Sequence, residues 1–251
     1  MTAQHHGIVI TALADRPDLE PAMWRMPDSW PEFMGHDDTA AAYFGRVPST
    51  FGHLCLVALD GDEVVARVFA APFELHGHRG GELPPGGWDR VLLWAFRDHE
   101  NGTRTDTVSA LEIAVRPDHL GRGLSHRMLA AMRAAAAEAG YAELVAPVRP
   151  NEKHLDPHEP ATAYIARTRD DGLPVDAWLR THARAGATIH GVAPRSMVVA
   201  GSLGQWREWT GLPFDTPGEV VVPLALVPVV CDPTHDYAVY VEPNVWVRHR
   251  L

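Results

Sequence analysis

Residues 111–132, LEIAVRPDHLGRGLSHRMLAAM, join a β-rich run, a loop with two glycines and an amphipathic helical pattern. The first backbone N–H groups of a helix have no partner within it, and the helix dipole is positive at that end. Gly121 and Gly123 let a bound group approach the backbone, while Arg122 and Arg127 add positive charge. This order of elements predicts an anion site suited to phosphate. A turn that needs positive φ accounts for the two glycines equally well.

Two common phosphate-binding motifs do not fit this loop. A dinucleotide fingerprint, G-x-G-x-x-G, would need glycine at position 126, where the chain has His126. A P-loop would need Gly-Lys-Ser/Thr, and the single lysine of the sequence, Lys153, lies elsewhere. The sequence therefore excludes both motifs.

The segment VRPDHLGRGLSHRML resembles the acyl-CoA motif of the GCN5-related N-acetyltransferase (GNAT) superfamily, R/Q-x-x-G-x-G/A at the start of a helix. The hexad begins with Leu120 where the family has Arg or Gln, and it ends with Ser125 where Gly or Ala is usual. In this family backbone amides supply most pyrophosphate contacts, so side chains at these positions matter less. The resemblance covers roughly residues 50–200. It assigns donor binding to Ile113, Val115, Leu120, Gly121, Arg122, Gly123, Leu124, Ser125 and Asn151.

The resemblance also implies a fold and a reaction. The fold is α/β: a mixed, mostly antiparallel central sheet with a parallel βαβ core flanked by helices, plus a β-rich C-terminal extension. The reaction moves an acyl group from a thioester donor to an amine of a small molecule by direct attack in a ternary complex. The donor is acyl-CoA, or acyl-phosphopantetheine on an acyl carrier protein. We expect a small-molecule acceptor, as in specialised metabolism.

Three residues are candidates for proton transfer. Glu112 is the predicted base, because strand alternation places it on one face with Ala110 and Ala114, where a substrate would have room. The later segment THARAGATI resembles the family element L-Y-x-x-x-G-F, and His182 takes the place of its frequent tyrosine acid. A histidine with an ordinary pKa near ~6.5 can donate or accept a proton. Tyr164 is the alternative phenol. The sequence is equally consistent with non-catalytic roles for two of them: Glu112 as an exposed strand residue, and His182 as a residue of the helix surface or the pocket wall.

Hydrophobic patterning predicts the elements that position these residues. Strand 107–115, helix 124–140 and strand 142–148 form a βαβ unit, whose strands we expect to be parallel. An Asp-Gly turn joins 53–59 and 63–73 into a hairpin. Further strands are predicted at 7–13, 187–203, 219–230 and 238–249, a helix at 175–186, and loops at 76–90 and 149–174, with only a short apolar piece at 91–96. The absence of a clean linker favours one domain over 1–251, with its core at about 50–200 and an extension at 201–251.

Composition narrows the function classes. A net charge of −10 disfavours a general nucleic-acid binder, which needs a basic face. No apolar run reaches the roughly 18 residues of a membrane span, and the N-terminus does not resemble a secretory signal. We therefore expect a cytoplasmic protein with no membrane partner, in which Cys55 and Cys231 are buried free thiols.

Rival functions stay open at this stage. The segments HGH (76–78) and HLDPH (154–158) have ligand-like spacing, but without a helix or cysteines beside them no metal site is expected. No G-x-S-x-G motif supports a serine hydrolase. A GNAT fold can also serve as a non-catalytic ligand-binding or regulatory module. Arginines near the loop suit an acidic carrier protein and the 3′-phosphate of CoA equally; they are Arg116, Arg122, Arg127 and Arg133.

Overall fold

The structure, a computed structural model, describes residues 7–251. Its strands are β1 (Val9–Ala12), β2 (Leu56–Asp60), β3 (Glu63–Phe73), β4 (Thr107–Val115), β5 (Glu143–Val148), β6 (Thr188–Gly201), β7 (Gly218–Val220), β8 (Val229–Asp232) and β9 (Tyr237–Arg250). Its α-helices are α1 (Glu20–Arg25), α2 (Asp38–Tyr43), α3 (Val47–Phe51), α4 (Gly87–Glu100), α5 (Leu124–Glu138), α6 (Ala161–Ile165), α7 (Ala177–Arg184) and α8 (Leu203–Thr210). The nine strands of the described residues form a sheet in the order β1-β2-β3-β4-β5-β9-β8-β7, and β6 also pairs with β9.

The sheet is mostly antiparallel, with a parallel β4–β5 pair at its centre. Helix α5 connects these two strands and makes the βαβ unit that the sequence predicts. Its buried residues, Leu124, Met128, Leu129, Met132 and Ala136, recur at helical spacing and cover one face of the sheet. Gly140, at φ 91°, follows the helix in the left-handed region that favours glycine. The predicted fold class is confirmed.

Hydrophobic cores lie on both faces of the sheet. Helices α5 and α7 pack on one face. Helices α1, α3, α4 and α8 pack on the other face. Strand β3 reads EVVARVFAAPF, an almost continuous apolar run, because both of its faces are covered. After the exposed Glu63 at its start, the charged residue in this run is Arg67, which is 5% exposed.

The C-terminal residues belong to the centre of the sheet. Strand β9 pairs with β5 from Val245 to Arg250, and with β6 on its other side. Residues 201–251, which the sequence suggests are an extension, therefore complete the main sheet. The predicted strand at 219–230 is wrong in its middle. There Pro223 and Pro228 lack an N–H for pairing, and Leu224 adopts φ 68°.

Three helices differ from the sequence interpretation, and one of them, α6 (Ala161–Ile165), lies inside the predicted loop at 149–174. The predicted loop at 76–90 and apolar piece at 91–96 are partly wrong, because α4 begins at Gly87 and continues to Glu100. Its start was hidden because Gly86 caps it without a side-chain hydrogen bond. Helix α8 was also missed, although Ser202 and Gln205 form a capping box at its start.

Two further predictions concern the cysteines and membrane-spanning segments. Cys55 and Cys231 are buried free thiols, as predicted. Within residues 7–251, no helix combines the length and the apolar character that crossing a membrane requires.

Candidate active site

A cleft opens where the two parallel strands separate. Strands β4 and β5 pair only at Val108–Leu144 and Ser109–Val145. Beyond these pairs, residues 110–115 of β4 and 146–148 of β5 line the walls of a cleft of about 1070 Å³. The separation leaves backbone and side chains of both strands facing the same space.

A β-bulge shapes the β4 wall. Phe69 of β3 lies opposite Glu112, and Ala70 lies opposite Ala110, so Leu111 is the extra residue. The carbonyl of Leu111 accepts a hydrogen bond from Trp88 Nε1 at 2.8 Å. The predicted grouping of Glu112 with Ala110 is therefore wrong. The bulge interrupts strict alternation, and Ala110 packs in the α5-side core, on the face away from Phe69 and Glu112.

Glu112 lies in the cleft within a buried hydrogen-bonded network. Its carboxylate accepts from Arg67 Nε at 2.6 Å and Nη2 at 3.1 Å, and from Trp30 Nε1 at 2.9 Å. Arg67 Nη2 also donates to Asp28 Oδ2 at 2.6 Å. The geometry leaves one surplus negative charge in this group of Asp28, Arg67 and Glu112 at the cleft wall.

A second ion pair lies on another side of the cleft. Arg149 Nε donates to Glu242 Oε2 at 2.9 Å, and Glu242 is completely buried. In the described chain the cleft wall has four carboxylates against two guanidinium groups; the carboxylates are Asp28, Glu32, Glu112 and Glu242, and the guanidinium groups are Arg67 and Arg149. Aromatic rings also line it, namely Trp24, Trp30, Phe44, Trp88 and Trp178. Such a chamber favours a ligand that is cationic and partly apolar.

The glycine loop lies beside the same cleft. Gly121 and Gly123 have φ of 75° and 73°, and a Cβ added at either would meet no atom within 4 Å. No described residue accepts a hydrogen bond from the backbone N–H groups of residues 121–126. The loop therefore presents a row of free donors at the N-terminus of α5, as an anion site requires.

The other predicted donor-binding residues divide into two groups. Those that line the cleft are Ile113, Val115, Leu120, Ser125 and Asn151. Leu124 instead points into the core, where it is 4% exposed. Arg122 is exposed on the loop.

Three of the four loop-side arginines already have partners. Arg116 pairs with Asp118 at 2.7 Å and Glu63 at 2.8 Å. Arg127 donates to the carbonyl of Ile8 at 3.0 Å, and Arg133 to that of Arg250 at 3.2 Å. The charge of Arg116 is thereby compensated within the protein.

His182 lines the cleft from α7, where it is 2% exposed. Burial, and then the neighbouring imidazole of His249, lower the pKa of His182 to about 3. The ring is therefore neutral near pH 7. His182 is therefore unsuited to act as a charged general acid, but its neutral ring can still donate or accept a hydrogen bond.

Tyr164 lies away from the cleft wall. Its hydroxyl donates to Asp176 Oδ2 at 2.8 Å, and the other oxygen of Asp176 caps α7 by accepting from Trp178 N and Leu179 N. Burial raises the pKa of the Tyr164 phenol. The structure does not bring Tyr164 together with Glu112 and His182; its hydroxyl instead holds the residue that caps α7.

The histidine-rich segments place three of their rings beside carboxylates. His78 lies 2.8 Å from Glu74, His76 lies 3.0 Å from Glu143, and His158 lies 3.5 Å from Glu219. Among residues 7–251 there is no group of three or more side chains that could hold a metal ion.

Sequence reasoning missed several polar residues of the cleft. Arg67 and Trp30 donate to Glu112, and Asp28 accepts from Arg67. Arg149 pairs with Glu242, and His249 contacts His182. The charge of Arg67 inside an otherwise apolar strand is a signal that would have found it, because buried arginines are paired. The other contacts join residues far apart in the chain and leave no local pattern.

The chain is similar over almost its whole length to a characterised enzyme. It is 32% identical over 278 aligned positions to the arginine N-acetyltransferase avaD of Aspergillus versicolor, covering 98% of this chain and 94% of that protein. The chain belongs to the GNAT superfamily. It is therefore an enzyme of the N-acyltransferase class, and the resemblance of its glycine loop is confirmed at the level of the family.

Two solved GNAT-like structures share this fold. The loading GNATL domain of CurA from Lyngbya majuscula superposes with a TM-score of 0.62, at 16% identity and 98% coverage of each chain. The GphF GNAT-like decarboxylase in complex with isobutyryl-CoA gives a TM-score of 0.52, at 17% identity and coverage of 98% and 99%. At these identities the likeness shows the fold alone. No protein-family model matches the chain.

Proposed function

We propose that this GNAT protein transfers an acyl group from an acyl-CoA thioester to an amine of a small, cationic molecule. The amine attacks the thioester directly in a ternary complex. One observation carries this proposal. The cleft between β4 and β5 runs from the glycine loop to an acidic, aromatic chamber, so a donor and a cationic acceptor fit in the same space.

The free amides of the loop support the donor half. A thioester arm that enters between the strands would place its pyrophosphate at the N-terminus of α5, where residues 121–126 offer unpaired N–H groups. Ile113 and Val115 would then contact the arm from the β4 wall. The relative that acts as an N-acetyltransferase suggests acetyl-CoA as the first donor to test.

The charge of the chamber supports the acceptor half. Its surplus carboxylates and tryptophan faces suit an ammonium or guanidinium group. Arginine, on which the relative avaD acts by name, is the acceptor to test first. A setting in specialised metabolism stays a prediction.

Within this proposal Glu112 and His182 are the residues at the reacting atoms. Glu112 accepts the proton of the attacking amine through a water molecule, because its own oxygens already face Arg67 and Trp30. His182 faces the cleft as a neutral ring. Tyr164 has no part in the transfer, since its hydroxyl is held by Asp176.

The proposal is tested by measuring thiol release and product mass with defined donors and acceptors. The donors are acetyl-CoA, longer acyl-CoAs and an acylated carrier protein; the acceptors are arginine, ornithine and norleucine. We expect transfer from acetyl-CoA to arginine, and weaker transfer to norleucine, which has the same α-amine but no side-chain cation. A higher rate with the carrier protein than with any acyl-CoA would move the donor assignment to phosphopantetheine.

A thermal-shift titration with acyl-CoA separates catalysis from binding, because a ligand that binds the folded state raises the Tm. A clear shift without thiol release for any amine would support a non-catalytic ligand-binding module instead. No shift and no release would contradict both.

A further inference from the structure

Two histidines meet at the wall of the cleft, one from α7 and one from β9. His182 Nδ1 and His249 Nε2 lie 2.9 Å apart, and both residues are buried. His182 lines the cleft, and its Nε2 has no hydrogen-bond partner among residues 7–251 but remains open to the cleft. The imidazole of His182 therefore lines the cleft, and the imidazole of His249 contacts it from the buried side.

The contact needs one N–H and one lone pair, because both rings are neutral. Burial, and then the charge of Arg133, lower the pKa of His249 to about 4, and the pKa of His182 is lower still. A neutral imidazole has its proton on one nitrogen only. Either His182 donates to His249, which leaves a bare nitrogen at the cleft, or His249 donates to His182, which leaves an N–H there.

The surroundings of His249 Nδ1 favour the second arrangement. Arg133 Nη2 donates to the carbonyl of Arg250, the residue next to His249, at 3.2 Å. Within the described chain, the Nε of Arg133 and the Nδ1 of His249 are both buried without a hydrogen-bond partner. An N–H on Nδ1 of His249 would be a buried donor with no acceptor among the described residues, which costs more than an unpaired buried lone pair. The positive charge of Arg133, which lowers the pKa of His249, acts in the same direction. The lone pair of His249 therefore belongs on Nδ1, and its proton belongs on Nε2.

We propose that His249 is a positioning residue that donates from Nε2 to His182 Nδ1 and so fixes His182 with its proton on Nε2, facing the cleft. In acyl transfer the amine nitrogen bonds to the thioester carbon, and the electron pair of the breaking C–S bond goes to sulfur. The N–H of His182 stabilises the departing thiolate by a hydrogen bond. The amine loses its proton through Glu112 and water, and the thiolate takes one from solvent, so no imidazolium is needed.

The inference rests on the proposed function, but its first test measures no transfer. Long-range ¹H–¹⁵N spectra of protein labelled with ¹⁵N-histidine distinguish a protonated ring nitrogen from a bare one. The two residues are assigned by loss of signals in His182→Phe and His249→Leu. We expect His182 to have its proton on Nε2 near pH 7, and His249 likewise. A proton on Nδ1 of His182 would overturn the proposal whether or not the protein transfers acyl groups.

The second test compares two variants of His249. Glutamine can donate to His182 Nδ1 from its amide, whereas leucine cannot. We expect His249→Leu to lower kcat on the order of tenfold with little change in donor KM, and His249→Gln to recover most of this loss. The loss in His249→Leu should be larger for thioesters whose thiols have a high pKa, because those thiolates need more stabilisation.

A control for plain destabilisation is Leu144→Ala. Leu144 is the buried β5 residue that pairs opposite His249, and it does not line the cleft. We expect this variant to lower the Tm. Any loss of kcat that it causes should be the same for all leaving thiols. Equal kcat losses in His249→Leu and His249→Gln, or a loss that does not vary with the thiol, would reduce His249 to a packing role.

Discussion

The role of Glu112 depends on the donors that surround it. Its carboxylate faces three N–H groups from Arg67 and Trp30, and Arg67 is shared with Asp28. Two roles are consistent with this geometry. Glu112 either receives the amine proton through water, or it only holds Arg67 and contributes negative charge for a cationic acceptor. The dependence of the rate on pH separates the two roles.

We expect Glu112→Gln to lower kcat by roughly 10²-fold, the usual effect of losing a general base. If Glu112 is a base, the loss shrinks as pH rises toward the pKa of the amine, because free amine becomes available without help. Asp28→Asn is the matched control, since it removes the other carboxylate of Arg67 and leaves Glu112 in place. This variant should raise the acceptor KM more than it lowers kcat. A loss in Glu112→Gln that is constant from pH 6 to 9 would exclude the base role.

At the scale of elements, the loop and α5 form the donor site together. Gly123 at the start of α5 and Gly140 at its end both have positive φ, and a Cβ at either would meet open space. An alanine in the left-handed region costs about 1–2 kcal/mol at each position. The two positions therefore share their backbone strain and differ only in their distance from the cleft.

We expect Gly123→Ala to raise the donor KM roughly tenfold, equivalent to about 1.4 kcal/mol of binding, because the new methyl group stands where the backbone meets phosphate. Gly140→Ala should lower the Tm about as much as Gly123→Ala does, because the backbone strain is the same. It should leave the donor KM unchanged. Steady-state kinetics with acyl-CoA and a thermal melt of each variant provide the measurement. Equal donor KM values in both variants would contradict a role of this loop in donor binding.

At the scale of the whole molecule, the fold brings together carboxylates from three elements. Asp37 precedes α2 and accepts hydrogen bonds from Ala40 N and Val198 N at 2.7 and 3.1 Å. Burial, and then the charge of Asp37, raise the pKa of Asp89 on α4 to about 8, and Glu242 on β9 adds to the effect. Asp89 therefore keeps its proton in the folded protein near pH 7 and loses it in the unfolded chain.

This difference predicts how stability depends on pH. Between the ordinary pKa of 3.8 and about 8, the folded state binds a proton at Asp89 that the unfolded state has lost, so the free energy of unfolding falls as pH rises. Asp89→Asn should remove this contribution, so its stability relative to the parent protein increases from pH 5 to pH 8. Urea unfolding at several pH values measures it. Asp170→Asn, at an exposed position, should follow the parent profile. A constant difference for Asp89→Asn would contradict the raised pKa.

The sequence by itself determined the elements whose signals are local. The βαβ unit, the β2–β3 hairpin, the Asp176 cap of α7 and the positive φ of Gly121 and Gly123 follow from apolar periodicity and turn chemistry within a few residues. The same local pattern gave the family resemblance. Glu112, His182 and most of the predicted donor residues do line one cleft. Where local signals conflict, as in the proline-interrupted run at 219–230, the prediction was wrong.

Only the tertiary structure decided what surrounds these residues. Arg67 reaches Glu112 across 45 positions of the chain, and His182 reaches His249 across 67. The bulge at Leu111 depends on pairing with β3, and the place of β9 at the centre of the sheet depends on β5 and β6. Such contacts are selected by the burial of whole faces and by the need to pair buried polar groups, and neither leaves a pattern within a short window of sequence. The chemical state of each candidate residue, ion-paired for Glu112 and neutral for His182, therefore comes from the fold.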